Sequence, residues 1–195
     1  MIVLGLTGSI GMGKSLVARC FKRMGAAVFD ADKEVHKLFA ERGGEVREKV
    51  KKKFPEAVEQ GEINRKKLGD IVFSDQKKLD LLEAIIHPKI REAEIAFIMN
   101  CNRQRRRLIV LDIPLLFESG AEQLCHYVVV VSANPIIQRI RVEKGRGVKK
   151  ERYEKINQLQ MENEEKVKRA DFVIHTGLDK RYVVRQVKSI VRSLI

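Results

Sequence analysis

The chain has 195 residues and carries 39 lysines and arginines against 26 aspartates and glutamates, a net charge of +13. That length suits one α/β domain with a substantial core. The charge is compatible with nucleic acid, a membrane surface or a small polyanionic substrate. Because the chain has no Trp and only three Tyr, base stacking has little support, and we expect no specific nucleic-acid partner.

The cysteines and the first residues indicate the cellular setting. The three cysteines are widely spaced and form neither a C-x-x-C pair nor a metal-binding pattern, which is typical of reduced thiols in a cytoplasmic protein. The apolar start is short and runs directly into a glycine-rich segment, so we expect no signal peptide. No stretch approaches the length of a membrane span, and we expect no membrane partner.

A glycine-rich loop follows the first apolar run. Residues 8–15, Gly-Ser-Ile-Gly-Met-Gly-Lys-Ser, match the full pattern G-x-x-x-x-G-K-[ST], between an apolar run at 2–6 and a helical stretch at 16–24. Such a loop wraps a polyphosphate with backbone N–H groups, and the following helix adds its positive dipole end. Lys14 is expected to reach the β- and γ-phosphates, and the Ser15 hydroxyl to bind Mg²⁺. The pattern predicts a nucleoside triphosphate site; the alternative is a glycine-rich turn without a ligand.

Five short apolar runs alternate with helical patterns along the chain. They are rich in Val and Ile, as expected for strands covered on both faces, and lie at residues 2–6, 28–30, 108–113, 127–132 and 172–175. The last segment, residues 180–194, places its apolar residues on one face of a helix. This order predicts an α/β fold with a doubly wound, five-stranded parallel sheet, whose ligands lie at the carboxyl ends of the strands.

Two segments are too long to be simple crossovers between strands. Residues 33–107 show no convincing strand, and we expect a helical insertion that covers the acceptor substrate, with helices over 77–86 and 88–101. Residues 138–170 favour a basic lid that closes over ATP phosphates; the alternative is a solvated helix face. The lid cations are Arg139, Arg141, Lys144, Arg146, Lys149, Lys150 and Arg152. The chain is thus predicted to be one domain, residues 1–195, with a core of about residues 1–32, 108–137 and 171–195.

Acidic residues end two of the predicted strands. Asp112 closes the third strand, where we expect it beside the glycine-rich loop, holding Mg²⁺ through water; its alternative role is to cap a helix. Asp30 and Asp32 end the second strand, and residues two apart in an extended segment point the same way. One of these carboxylates could accept a proton from an acceptor hydroxyl. On spacing alone, Asp32 could equally cap a helix that begins at Lys33.

An ordered set of motifs extends from Leu4 to about Gly177. It comprises Gly-Leu-Thr-Gly-Ser-Ile-Gly-Met-Gly-Lys-Ser at 5–15, Asp-Ala-Asp at 30–32, Gly-Glu-Ile-Asn-Arg at 61–65, Leu-Glu-Ala-Ile-Ile-His-Pro at 82–88, Leu-Asp-Ile-Pro-Leu-Leu-Phe-Glu at 111–118 and Ala-Asp-Phe-Val-Ile at 170–174. The first motif alone is common to many proteins, whereas the ordered set is much narrower. In this set the chain resembles the dephospho-coenzyme A kinases, which carry out the last step of coenzyme A synthesis.

The resemblance implies a P-loop kinase fold and transfer of the ATP γ-phosphoryl group to the ribose 3′-hydroxyl of dephospho-coenzyme A. It implies that Asp32 is the general base and that Arg65 contacts the substrate or the transferring phosphate. Lys14 and the lid residue Arg141 complete the predicted catalytic set. The predicted ATP contacts are Gly11, Met12, Gly13, Lys14, Ser15 and Leu16, and the predicted Mg²⁺ ligands are Ser15 and Asp112.

The chain departs from the family pattern at a few positions. Met12 replaces a small polar residue and Leu16 a threonine, but the loop works through its backbone and Lys14, so neither change removes an essential group. Gly145 stands where an arginine is frequent, and Lys144 and Arg146 flank it as possible replacements. The segment His-Thr-Gly at 175–177 lacks the usual asparagine before the glycine.

Two other functions compete with this prediction. Another small-molecule kinase, acting on a nucleoside, nucleotide or shikimate-like acceptor, would share the loop and differ in its acceptor pocket. A nucleotide-gated protein, such as a GTPase or a nucleic-acid motor, belongs to a different class. It is less favoured because a guanine-reading Asn-Lys-x-Asp element is absent and 195 residues leave little room for motor modules. The sequence carries no signal for an oligomeric state.

Overall fold

Five parallel strands form the central sheet of this computed structural model, which describes residues 1–145, 157 and 160–195. The strands of the described chain are β1 (Ile2–Thr7), β2 (Ala27–Asp30), β3 (Val58–Glu59), β4 (Glu62–Ile63), β5 (Leu108–Asp112), β6 (Tyr127–Ser132) and β7 (Phe172–His175). The order across the central sheet is β2-β5-β1-β6-β7, which confirms the predicted five-stranded parallel sheet. β3 and β4 pair with each other in a separate antiparallel hairpin.

Helices connect these strands. Within the described residues they are α1 (Lys14–Arg23), α2 (Ala31–Ala40), α3 (Glu45–Lys53), α4 (Arg65–Val72), α5 (Gln76–Arg103), α6 (Pro135–Gly145), α7 (Asn163–Lys168) and α8 (Lys180–Leu194). No helix in this part of the chain is long and apolar enough to span a membrane. Four of the predicted lid cations lie outside the described residues, namely Arg146, Lys149, Lys150 and Arg152.

The central position of β1 follows from its apolar side chains. Its residues from Val3 onward are all buried. Leu4 and Leu6 are two residues apart and share one face, where they pack with Val129 and Val131 of β6. Burying such side chains stabilises the fold by roughly 1.5–3 kcal/mol each relative to leaving them exposed. The helices α1 and α8 contribute to the same apolar cluster through Val17, Phe21, Val183 and Val187.

The order of the strands reverses at β1. The neighbour of β1 on one side is β5, followed by β2, and its neighbour on the other side is β6, followed by β7. In open α/β sheets a ligand crevice forms at the carboxyl ends of the strands where the order reverses in this way. The glycine-rich loop, residues 8–15, leaves β1 at this point, so the fold places the loop where sheets of this class bind ligands.

The helix that the sequence divides near His87 is continuous. α5 runs from Gln76 to Arg103 with Pro88 inside it, so the stretches predicted as helical, 77–86 and 88–101, are helical, but they form one helix and not two. Proline lacks the N–H group of a regular helical bond and usually interrupts a helix. Here an apolar stripe crosses Pro88 at a spacing of three and four residues, and its packing outweighs the local effect of proline. The buried members of the stripe are Leu79, Leu82, Ile86 and Ile90.

A short hairpin occupies part of the segment in which no strand was expected. Gln60 and Gly61 form its turn with φ angles of 49° and 78°, both in the left-handed region that two-residue hairpin turns require. Each strand has only two residues. Alternation of apolar and polar residues needs at least four positions to be visible, so the sequence pattern gave no indication of this hairpin.

Contacts within the chain define two compact units. One comprises residues 1–30 with 97–195, and the other comprises residues 31–96. The second unit is shorter than the predicted insertion at 33–107 because the last turns of α5 belong to the first unit.

A buried arginine organises the second unit. Arg47 of α3 is 5% exposed. Its guanidinium donates to the carbonyl oxygens of Ala40 and Gly61, and it pairs with Glu62 at 2.8 Å. This hydrogen bond from Arg47 holds the pKa of the Glu62 carboxyl below its ordinary value. The guanidinium thus joins the end of α2 to the hairpin.

We expect Arg47→Met to lower the free energy of unfolding by about 2–4 kcal/mol, because two carbonyl oxygens lose their donor together with the ion pair. Glu62→Gln is the matched control. It removes only the exposed partner of the pair, which is worth about 0–1 kcal/mol. Urea denaturation of both variants measures the difference. Equal stabilities of the two variants would contradict this role of Arg47.

Candidate active site

The loop between β1 and α1 contains two turns that glycine adopts without strain. Gly11 has a φ of 81° and Gly13 a φ of 93°. A Cβ atom at Gly11 would lie 2.7 Å from Cγ2 of Val142, and one at Gly13 would lie 3.0 Å from Oγ1 of Thr176. No side chain fits at the first distance. α6 and the segment after β7 therefore pack directly against this loop.

The loop carries a group of backbone donors that the rest of the described chain does not use. Two of them belong to the first turn of α1, whose N–H groups have no acceptor within the helix and which carries the positive end of the helix dipole. A cluster of such donors is a binding site for phosphate or another anion. The N–H groups without a hydrogen-bond partner among the described residues include those of Gly11, Gly13, Lys14 and Ser15.

Met12 and Leu16 serve the packing of the loop. The side chain of Met12 is buried, and its Sδ accepts a hydrogen bond from the N–H of Ala133 at 3.2 Å. Leu16 is half-buried against the same core. Their N–H groups donate to the carbonyl oxygens of Ser9 at 3.1 Å and Gly13 at 3.0 Å. The predicted ATP contacts of Met12 and Leu16 therefore do not run through free N–H groups.

Side chains from distant segments bind the backbones of Ile10 and Met12, the residues on either side of Gly11. Nε2 of Gln138 donates to the carbonyl oxygen of Ile10 at 2.8 Å, and Oγ1 of Thr176 donates to that of Met12 at 2.6 Å. The N–H of Ile10 donates to Oε1 of Gln160 at 3.2 Å. Gln138 and Thr176 are both buried. Their hydrogen bonds offset the partial negative charges of the two carbonyl oxygens, which would otherwise repel a phosphate.

Arg141 of α6 completes this set of contacts. Its Nη1 donates to Oγ1 of Thr176 at 2.9 Å and to the carbonyl oxygen of Gly11 at 3.5 Å, and its Nη2 donates to the carbonyl oxygen of Thr176 at 2.6 Å. Three consecutive carbonyl oxygens of the loop, at residues 10, 11 and 12, are therefore each bound by one side chain. The sequence predicts that Arg141 belongs to a lid. In this structure its hydrogen bonds stabilise the glycine-rich loop.

A lysine and two aspartates meet at the carboxyl edge of the sheet. Nζ of Lys14 lies 2.6 Å from Oδ1 of Asp112, and both side chains are largely buried, at 15% and 8% exposure. Asp30 is the direct neighbour of Asp112 across the β2–β5 pair, and Leu6 is its neighbour on β1. Like charges in adjacent positions of a sheet repel each other. The edge therefore favours a cation, and Lys14 supplies one.

Ser15 and Asp112 provide the oxygen ligands that Mg²⁺ prefers. Magnesium usually takes one or two protein ligands together with phosphate oxygens and water. Within the described residues, no group of three or more His, Cys, Asp or Glu side chains could hold a metal ion. The donor set fits Mg²⁺ that is bound together with a phosphate, and it does not fit a metal held by protein ligands alone.

The second unit contains the remaining predicted residues. Asp32 is exposed in the first turn of α2, which begins at Ala31, so it does not occupy the capping position before a helix at Lys33. The extended segment ends at Asp30, and Asp32 already lies in a helix. The expectation that both side chains point the same way assumed an extended segment through Asp32, and the structure does not support it. Arg65 is exposed at the start of α4, whose first turn Asn64 caps.

Comparison with known proteins decides the family. A family model described as dephospho-CoA kinase matches residues 2–179. The chain belongs to the dephospho-CoA kinase family. A dephospho-CoA kinase from Bartonella quintana (strain Toulouse) is 42% identical over 195 residues, which are 100% of this chain and 99% of the relative.

Solved structures agree with this assignment. The dephospho-CoA kinase from Campylobacter jejuni superimposes with a TM-score of 0.70 at 27% identity, covering 98% of this chain and 96% of its own. A shikimate kinase from Acinetobacter baumannii, in complex with shikimate, superimposes with a TM-score of 0.51 at 16% identity, covering 99% and 94%. The second likeness shows the P-loop kinase fold alone, and the dephospho-CoA kinase family is the closer description of the chain.

The structural roles of two buried residues, Lys166 and Thr176, were not predicted from the sequence. Lys166 of α7 is fully buried, with Nζ 2.9 Å from Oε1 of Glu118 and 3.3 Å from the carbonyl oxygen of Pro114. Its run Asn-Glu-Glu-Lys-Val-Lys is typical of an exposed helix, so composition gave no signal. Thr176 was visible only as a departure from the family pattern, and its partners, Met12 and Arg141, are distant in the sequence.

We expect Thr176→Val to raise the KM for ATP about tenfold, because the carbonyl oxygen of Met12 loses its donor and Arg141 loses an acceptor. Thr176→Ser keeps the hydroxyl and should restore a KM near the wild-type value. Steady-state kinetics at a temperature where both variants are folded separates this effect from stability. A Thr176→Val protein with a lower melting temperature and an unchanged KM would reduce Thr176 to a packing residue.

Proposed function

We propose that the protein transfers the γ-phosphoryl group of ATP to the ribose 3′-hydroxyl of dephospho-coenzyme A, which yields coenzyme A. The observation that carries the proposal is the group of unpartnered N–H donors beside the Lys14–Asp112 pair, in a chain of the dephospho-CoA kinase family. The donors supply the ATP side of the reaction. The named relative from Bartonella quintana, which matches the full chain, supports the choice of acceptor.

On the ATP side of the site, the residues act by positioning the phosphates and by offsetting their charge, the two effects that dominate the catalysis of phosphoryl transfer. The N–H groups of Gly11, Gly13, Lys14 and Ser15 hold the phosphate oxygens of ATP, and Nζ of Lys14 offsets the charge that develops on the transferring group. Arg141, whose Nη1 lies 3.5 Å from the carbonyl oxygen of Gly11, adds a second positive charge behind the loop.

Magnesium binding is assigned to the Ser15 hydroxyl and the Asp112 carboxylate. The ion would neutralise charge on the β- and γ-phosphate oxygens. Asp112 already accepts from Lys14 and lies next to Asp30. Its negative charge is therefore positioned to balance both the lysine and a divalent cation.

The acceptor side is assigned to residues 33–107, together with Asp32 immediately before them. A ribose hydroxyl is too weak an acid to ionise at neutral pH, so a carboxylate must accept its proton as the new bond to phosphorus forms. Asp32 is exposed and therefore accessible to a substrate. Arg65, exposed at the start of α4, is assigned to contact the substrate or the transferring phosphate.

Residues 138–170 are assigned as a lid over the bound nucleotide. Gln138, the first residue of this segment, and Gln160 both bind the backbone of Ile10. Movement of the segment would therefore act directly on the phosphate-binding loop. On α6, Lys144 precedes Gly145 and is a candidate to replace the arginine that the family frequently has there.

The proposal includes a cytoplasmic location and a small-molecule substrate. All three cysteines are free thiols, and two of them, Cys20 and Cys101, are buried, as suits a reducing compartment. A different acceptor, such as a nucleoside or shikimate, is the main competing function. The likeness to shikimate kinase extends only to the fold, and no observation favours that acceptor.

An assay with purified protein, ATP and Mg²⁺ tests the acceptor directly. We expect rapid ADP release with dephospho-coenzyme A and at least about 10²-fold slower release with adenosine, AMP or shikimate, since only the full substrate makes every binding contact. Lys14→Ala is the matched negative control, with a predicted loss of turnover of about 10²-fold or more. Preferred phosphorylation of any other acceptor would refute the assignment.

We expect Asp32→Asn to lower kcat by about 10²-fold or more while ATP still binds, because the amide cannot accept a proton. Stability should change little, because the residue is exposed. Asp30→Asn, at the end of β2, is the comparison variant. If Asp32→Asn retains most of its activity and Asp30→Asn loses it, the general base is Asp30.

A further inference from the structure

A concavity of about 410 Å³ lies at the amino ends of the strands, on the side of the sheet opposite the glycine-rich loop. Its lining comes from the segments that lead into β2 and β5, at the amino ends of the strands, whereas the loop follows the carboxyl end of β1. Met24 and Leu108 form part of its apolar lining. Arg105, Arg106 and Arg107 form most of its polar lining. None of the proposed reaction steps uses these residues.

Three arginine side chains give this concavity a positive lining. Its lining contains no acidic side chain. Nη2 of Arg107 donates to the carbonyl oxygen of Ile195, and Nε of Arg106 donates to Oε1 of Gln104. Within the described chain neither Arg105 nor Arg106 takes part in an ion pair. Three further cations lie in the last turns of α1 and α5, namely Lys22, Arg23 and Arg103.

The backbone of Arg105 adopts a conformation that is unusual for an arginine. Its φ is 53°, in the left-handed region. The N–H of Arg105 donates to the carbonyl oxygen of Asn102 at 2.9 Å, and that of Arg106 donates to Cys101 at 3.0 Å. This pattern ends many helices, and glycine is the usual residue at the left-handed position. Arg105 occupies this position in place of glycine and carries the backbone strain that a side chain causes there.

We propose that this concavity binds a small phosphorylated organic anion of mononucleotide size. Guanidinium groups bind phosphate through two parallel hydrogen bonds, and both Arg105 and Arg106 line the concavity. Met24 and Leu108 offer apolar contact to the organic part. The volume lies within the range of small-molecule sites. The lining has no aromatic residue on which a nucleic-acid strand could stack its bases.

Calorimetric titration with AMP tests the proposal, on protein saturated with dephospho-coenzyme A and a non-hydrolysable ATP analogue so that the reaction site is filled. We expect one AMP per chain. Arg105→Gln combined with Arg106→Gln should weaken binding about tenfold or more, because charge-assisted hydrogen bonds are lost. Lys52→Gln combined with Lys53→Gln removes the same charge from exposed positions of α3 and should leave AMP affinity unchanged. Kinase turnover should be the same in both double variants.

Arg105→Gly separates binding from folding. Glycine adopts the left-handed conformation without strain, so we expect an equal or higher melting temperature together with weaker AMP binding. The proposal fails if wild-type protein binds no AMP under these conditions, or if both double variants lose affinity equally. It also fails if inorganic phosphate binds as tightly as AMP, or if a single-stranded oligonucleotide displaces AMP and binds more tightly.

Discussion

A loop that offers its N–H groups to a phosphate needs partners for its carbonyl oxygens on the other side, because buried backbone groups are costly to leave unpaired. Here Gln138, Arg141 and Thr176 bind the carbonyl oxygens of residues 10, 11 and 12. These side chains are more than 120 positions away along the chain. The glycine-rich motif therefore becomes a phosphate site only when β6, α6 and β7 have folded against β1.

The strand order has an electrostatic consequence. Because β5 lies between β1 and β2, Asp112 and Asp30 become neighbours at the edge where the loop begins. Lys14, at the start of α1, reaches this edge and contacts Asp112 at 2.6 Å. The protein carries a net charge of +13, yet this edge concentrates negative charge. That local arrangement, and not the overall charge, favours a cation at this edge.

The sequence predicted the features that depend on local patterns. The five strands are near-continuous apolar runs, and the loop glycines follow from the shape of a phosphate site. Features set by tertiary packing were not predictable. Pro88 remains inside a helix because an apolar stripe crosses it, and Lys166 is buried although its neighbours are charged. The start of α2 was misplaced because Asp32 resembles a capping residue, whereas the helix begins at Ala31.

The backbone of Ile10 is bound on both sides. Its N–H donates to Gln160 and its carbonyl oxygen accepts from Gln138, two residues of the segment proposed as a lid. A deuterium atom can replace this amide hydrogen only when Gln160 releases it. The hydrogen-exchange rate of this one amide would thus report how often its hydrogen bond to Gln160 opens, in the protein without substrate.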